Sequence, residues 1–508
     1  MKEWIAAYLT QFTGRFFLNQ LLVILAVYLV GLFFVICIRR GVRDLWTPLL
    51  AYPVGIAVYV LAGFLLLVTG LPFRAWTVLI LLLLAAVFLC FLKKPFQSLR
   101  SELALWKDGT KGQPKRRCVP WILAATVLLA AVLAVSGLLS VSVSNDSMYY
   151  YSLYSRAIVS YGTYRREFNV FLTDVGQGAA LIGTFPHLFG FNETFGIQQF
   201  FNMNFLCGFT YAVYEQAKAA GQKKGLTAAL LSLLVLLSAM PFLIVSKWAM
   251  ANVYFMEYLF LCGYLAFRFQ PKEERCEEGL VCVQGILIAM LSTLRMEGGI
   301  FVIFAVLCIS TLKYRNRELA LCFLLPTACL QLMYDIRIFL TMDIDAPYTF
   351  LTEKKAVVQL VGMIAVLLYL TLLRGRYFKK LQMHMEAVII AGLLFVNAGL
   401  WVLDSTIYFG NLKAFSANLF NQSGWGLFPA FVIAMLLLLP KKGISFGYHD
   451  LLWTGYLLIT LAVCWARDGI LREGVGDSGN RVLLQIVPLI VFALTLRAVE
   501  WCGKEMKD

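Results

Sequence analysis

The sequence predicts an all-α, polytopic integral membrane protein with about 13–15 transmembrane helices. Apolar runs long enough to cross a hydrocarbon core of roughly 30 Å recur along all 508 residues. The composition is 60% hydrophobic with a mean hydropathy of +0.77. Charged residues make up 14%, against about 25% in soluble domains. No hydrophilic stretch is long enough for a soluble domain of ordinary size. The longest, 143–194, is rich in aromatic residues.

Taken in order, helices are expected near 18–38, 48–70, 75–93, 119–142, 195–216, 226–246, 252–269, 280–294, 298–312, 318–341, 355–373, 384–404, 425–440, 450–466 and 482–498. The first run ends in Arg39-Arg40 with no small-residue cleavage site, which reads as an anchor rather than a removed signal. Ahead of it, Trp4, Ile5, Tyr8, Leu9 and Phe12 recur at roughly helical spacing and suit a helix lying along the interface. The segment 280–312 is too long for one span and short for two; Arg295 and Glu297 interrupt it.

Three modules result. Residues 1–118 form a three-helix membrane segment with a basic cytoplasmic linker, 94–118. Residues 119–341 hold nearly all the unusual polar residues and the outer loop 143–194. Residues 342–508 supply further helices with modest outer loops.

The net charge of +15 raises a nucleic-acid reading, but placing the charges on the topology removes it. Arg39, Arg40 and Arg43, the cluster from Lys93 to Arg117, Lys218, Lys223 and Lys224, Lys313, Arg315 and Arg317, and Lys441 and Lys442 all fall in alternate loops. That bias is the positive-inside rule. The 12 Cys form no CxxC or Cys/His cluster, so neither disulfides nor structural zinc are indicated. His187, His384 and His449 share no metal spacing.

Ionisable residues concentrate at the outer helix ends. Asp146 follows the 119–142 run by a few residues, beside Tyr149 and Tyr150. It reads as a partly desolvated general base or as a helix cap in an aromatic belt. Arg165 and Arg166 suit phosphate oxygens, or lipid headgroups. Asp174 reads as a second acid or, preferably, as the cap of the helix that follows. Lys247 and Asn252 flank a helix junction that Glu257 enters; an ionisable group inside a span normally has a partner or a job. Arg295 and Glu297, followed by Gly298-Gly299, let two half-length helices meet at a charged bend. Arg481 stands at the outer mouth of the last helix, as a site residue or an interface anchor. These groups come from separate helices at one predicted level, where an acid and several cations could hold a lipid phosphate and activate a hydroxyl.

The stretches NDSMYY, ALIGTFPHLFGFNETFGIQQFFN, VSKWAMANVYFMEYLFLCGYLAFR, TLRMEGGIF and GNRVLLQIVPLI together resemble the GT-C fold glycosyltransferases, which include protein O-mannosyltransferases and aminoarabinose transferases. The likeness covers roughly 119–312 and 478–490. Three departures stand beside it. Three helices precede the core module, Asn252 occupies a position often acidic, and no proline pair follows Asp174.

The resemblance implies a GT-C-like fold and a polyprenyl-phosphate sugar donor. It implies inverting transfer to a lipid-linked or cell-wall glycan acceptor on the outer face of a bacterial plasma membrane. Asp146 would be the base. Arg295, Lys247 and Arg165 or Arg166 would hold the donor phosphate, with Glu297 in the same bend. Arg481 would close the site, and Tyr149 and Tyr150 would line the sugar pocket. Some relatives use a divalent ion, Mg or Mn, and others none; the sequence leaves that open. The competing readings are a glycolipid transporter or flippase, which needs polar groups through the full membrane depth, an O-antigen polymerase or ligase, which needs a large late loop, and a membrane scaffold.

Overall fold

The computed structural model describes residues 14–39, 44–93, 124, 126–129, 131–132, 146–191, 196–248, 250–270, 278–345, 350–372, 384–421, 424–438, 447–467, 469–474 and 478–504. The expected interfacial helix 1–17, the basic linker 94–118 and the span 119–142 lie wholly or largely outside the described residues.

Among the described residues the fold is helical throughout, without strands. In chain order the helices are α1 Gly14–Ile38, α2 Trp46–Val68, α3 Ala75–Lys93, α4 Tyr154–Tyr161, α5 Asn169–Asp174, α6 Gln177–Leu188, α7 Gly196–Ala217, α8 Gln222–Ser238 and α9 Met240–Val245. They continue with α10 Ala251–Arg268, α11 Glu278–Thr293, α12 Gly298–Ile309, α13 Asn316–Thr341, α14 Glu353–Leu372, α15 Met385–Leu403 and α16 Ser405–Ser416. The last are α17 Phe428–Leu438, α18 Tyr448–Ala466, α19 Ser478–Leu484 and α20 Val487–Lys504.

Six of these helices are long and apolar enough to cross a membrane, or seven if the bent pair α19–α20 counts as one. The expectation of about 13–15 covers the whole chain, including the span 119–142 that lies largely outside the described residues. Within the described residues the run 280–312 is divided: α12 has 12 residues and follows a turn that carries Arg295 and Glu297.

At the centre stands α2, 83% buried over its most apolar stretch, whereas α15 is only 11% buried and turns an apolar surface outward. Proline at position 53 denies the helix one N–H, orphaning the carbonyl of Leu49. Asn204 of α7 donates its Nδ2 to that oxygen at 2.8 Å, and the Tyr258 hydroxyl of α10 donates to the Pro53 carbonyl at 2.7 Å. The first bond fills the gap that the proline leaves, and the second adds a further tie to α10. Helices α1 and α2 meet backbone to backbone: a Cβ on Gly31 would lie 1.7 Å from the Ala51 oxygen, so only glycine allows the approach.

Three side-chain amides of α7 hold the turn ahead of α10. Gln198, Gln199 and Asn202 all donate to the Ser246 carbonyl, at 2.9, 3.2 and 2.8 Å. Gln198 also donates to the Trp248 carbonyl. The last span breaks between α19 and α20 with a 43° bend. Pro488 lies just inside α20 and cannot donate to the preceding turn.

Candidate active site

Six chain segments converge on a cleft of about 140 Å³. The first is the π-helical turn Ser147–Leu153 with Asp146 just ahead of it. It is fixed from α4: Tyr154 donates to the Gln177 side chain at 2.9 Å and Ser155 to the Ala180 carbonyl at 2.6 Å. The second is the bend from Asp174 to Gly176 between α5 and α6. Here the backbone presses on the next segment so closely that a Cβ on Gly176 would sit 2.1 Å from the Leu294 carbonyl. The third is the start of α10, with Ala251 and Asn252. The fourth is the turn between α11 and α12, the fifth is the end of α18 with Arg467, and the sixth is α19.

The α11–α12 turn is built by its glycines. Gly298 N–H closes it onto the Arg295 carbonyl at 2.9 Å, and a Cβ at Gly298 would lie 2.2 Å from the Ser292 oxygen. Glu297 becomes the residue that opens α12, where a carboxylate is favoured by the helix dipole. Its side chain is 1% exposed and pairs with both Arg295 and Arg467, the latter at 3.3 Å. Burial alone would raise its pKa, but Arg295, with Arg467 behind it, reverses this and holds the carboxyl at about 2. Arg295 also donates to the Asn252 side chain at 2.6 Å. The same oxygen accepts from Gln485 at 2.5 Å, and Gln485 accepts in turn from the Tyr456 hydroxyl. One hydrogen-bonded chain thus ties α18, the α19–α20 bend, α10 and the α11–α12 turn to Arg295.

Asp146 accepts from the Arg481 guanidinium. Its carboxylate makes no capping bond to the turn it precedes, so the capping alternative gives way to the ion pair. Asp174 is not the cap of α6 either. It ends α5, and α6 opens after Gly176 without a side-chain cap. Its carboxylate lines the cleft instead. Burial raises the Tyr150 pKa, and the Asp174 and Asp146 carboxylates beside it add to the effect.

No family model matches the chain, and no curated protein and no solved structure matches it. The site therefore stands on its own geometry.

Of the residues singled out in the sequence, Asp146, Tyr150, Asp174, Asn252, Arg295, Glu297 and Arg481 come together in the cleft. Five others lie off it. Tyr149 is 62% exposed. Arg165 stacks its guanidinium 4.1 Å from the Tyr161 ring centroid. Arg166 stands 4.0 Å from the exposed Asp343 carboxylate. Lys247 sits half-buried in the clamped turn ahead of α10. Glu257, within α10, is fully buried, and neither carboxyl oxygen finds a partner among the described residues; it is away from the cleft lining.

Arg467 at the end of α18 and Ser478 at the start of α19 complete the lining, and neither carries a sequence signal. Arg467 ends an apolar run as many interface arginines do.

Among the described residues no three His, Cys, Asp or Glu side chains are grouped to hold a metal.

Proposed function

We propose that the cleft transfers a sugar from a polyprenyl-phosphate donor to a hydroxyl of a lipid-linked or cell-wall glycan acceptor, with inversion, on the outer face of a bacterial plasma membrane. One observation carries the reading: Asp146 shares a single cleft with three arginines, Arg295, Arg467 and Arg481, delivered by separate segments of the chain.

A carboxylate with 36% of its side chain exposed can accept a proton from an entering hydroxyl. The acceptor oxygen attacks the anomeric carbon as the bond from that carbon to the phosphate oxygen breaks. The electron pair leaves with polyprenyl phosphate, and the acceptor proton ends on Asp146. Guanidinium groups suit the departing phosphate because their planar donors match its oxygens. Fixed cations in a restricted site stabilise the developing charge better than water does. Arg295 is held by Glu297 and Asn252 and would need little reorganisation.

The test is release of polyprenyl phosphate by the purified protein in nanodiscs, given a panel of polyprenyl-phosphate sugars and crude membrane-glycan acceptors. Release by wild type and not by Asp146→Asn is expected. No release with any donor, from protein shown to be folded, would sink the reading in favour of transport or glycan polymerisation.

A further inference from the structure

The charges that line the cleft cancel. Asp146, Asp174 and Glu297 stand against Arg295, Arg467 and Arg481, and each of the three arginines already engages a carboxylate. A phosphate entering such a site has no surplus cation to meet, so the positive charge that draws it must come from the rim. One place on the rim supplies it. Arg467 is the loosest of the three, 38% exposed against 12% and 13% for Arg295 and Arg481, and its hold on Glu297 is a single bond at 3.3 Å. Its guanidinium lies 4.9 Å from the Phe350 ring centroid, and the Lys355 ammonium lies 5.0 Å from the same centroid. Lys355 has no carboxylate partner among the described residues. Among the described residues its ammonium makes one hydrogen bond, to the Ala466 carbonyl at 3.0 Å, which leaves two of its protons for another acceptor. Phe350 itself is buried, so both cations are braced by a fixed ring.

We infer that Lys355 and Arg467, gathered by Phe350, form the docking subsite for the donor's phosphate at the edge of the cleft. This rests on the transferase reading above and names residues for it. Lys355 has unused protons for a phosphate oxygen without giving up its bond to Ala466. Arg467 can turn a free edge of its fork to the same group, and Glu297 keeps Arg295 when it does. The phosphate is thus held where the lining arginines can meet it as its charge grows.

The experiment measures binding of farnesyl phosphate and of the neutral alcohol farnesol to the full chain in nanodiscs, for wild type, Lys355→Gln, Lys355→Arg and Arg467→Gln. Wild type should prefer the phosphate. Lys355→Gln and Arg467→Gln should each lower phosphate affinity about tenfold, the scale of one charge-assisted hydrogen bond, and leave farnesol affinity unchanged. Lys355→Arg should retain the preference. If Lys355 only tied down the end of α18, its loss would shift both ligands alike, and that result would overturn the inference. So would an undiminished phosphate preference in both Gln variants, with the transferase reading intact. A wild type with no preference for the phosphate would overturn the subsite and the polyprenyl-phosphate donor together.

Discussion

Arg481 donates to the Asp146 carboxylate across 335 positions of sequence, joining the last span to the first polar turn. The pair withholds that carboxylate from a hydroxyl until Arg481 finds another anion.

Asp146→Asn should therefore lower turnover by about 10²–10⁴-fold, the usual contribution of a general base, with KM for the donor little changed. Arg481→Gln should lower kcat and raise the donor KM together. Because the two act as a unit, the double variant should be no slower than the worse single variant. Steady-state kinetics on the three variants checks this; fully additive losses would dissolve the pair.

Glu297→Gln should destabilise the fold by about 3–5 kcal/mol, because it leaves Arg295 and Arg467 buried or half-buried without their counter-charge. Unfolding followed in detergent measures it. The pH dependence has a definite sign. The folded value, about 2, lies below the ordinary 4.5, so this stabilisation is complete above the ordinary value and fades as pH falls towards the folded one. The gap in unfolding temperature between wild type and Glu297→Gln should stay constant from neutral pH to about pH 5 and narrow only below that.

Gly176→Ala should impair turnover although no functional group changes. The added Cβ would meet the Leu294 carbonyl at 2.1 Å and the Arg295 nitrogen at 2.3 Å, so the backbone that aims Arg295 must shift. A destabilisation of about 1–3 kcal/mol should accompany the loss. Activity assays and thermal unfolding on one preparation test the coupling.

Tyr149→Phe, Arg165→Gln, Arg166→Gln and Lys247→Gln should each leave turnover within about threefold of wild type. Substitutions at such exposed or peripheral positions seldom move stability by more than about 0.5 kcal/mol. A large loss in any of them would bring that side chain into the reaction.

How much of the site the sequence discloses depends on where each residue stands in its helix. Arg295, Glu297 and Arg481 are conspicuous because charges that interrupt apolar runs need a reason, and all three reach the cleft. Asp146 is conspicuous for its place at the end of an apolar run. Arg467 is silent because an arginine closing a span has an ordinary explanation at the interface. Asp174 misleads for a local reason: an acid ahead of an apolar helix suggests capping, but the extended backbone at Val175 and Gly176 moves the helix start beyond its reach. Lys247 misleads for a tertiary one. It occupies the expected level, but the amides of Gln198, Gln199 and Asn202 fix the surrounding turn, and the lysine is left off the lining. The helix count is legible only as total apolar length, because glycine turns and prolines divide runs that hydropathy alone joins.

The break in the last span separates two duties that one straight rod would combine. α20 is an anchor, and its depth and tilt answer to the thickness of the surrounding bilayer. α19 is a short arm that carries Arg481 and is pinned from the protein side, through Trp425 on Asn480 at 2.6 Å and Gln485 on Asn252 at 2.5 Å. Lengthening or shortening the apolar stretch of α20 would change how the anchor leans. The bend beyond Gln485 would take up that change, so the same working end could serve in membranes of different thickness.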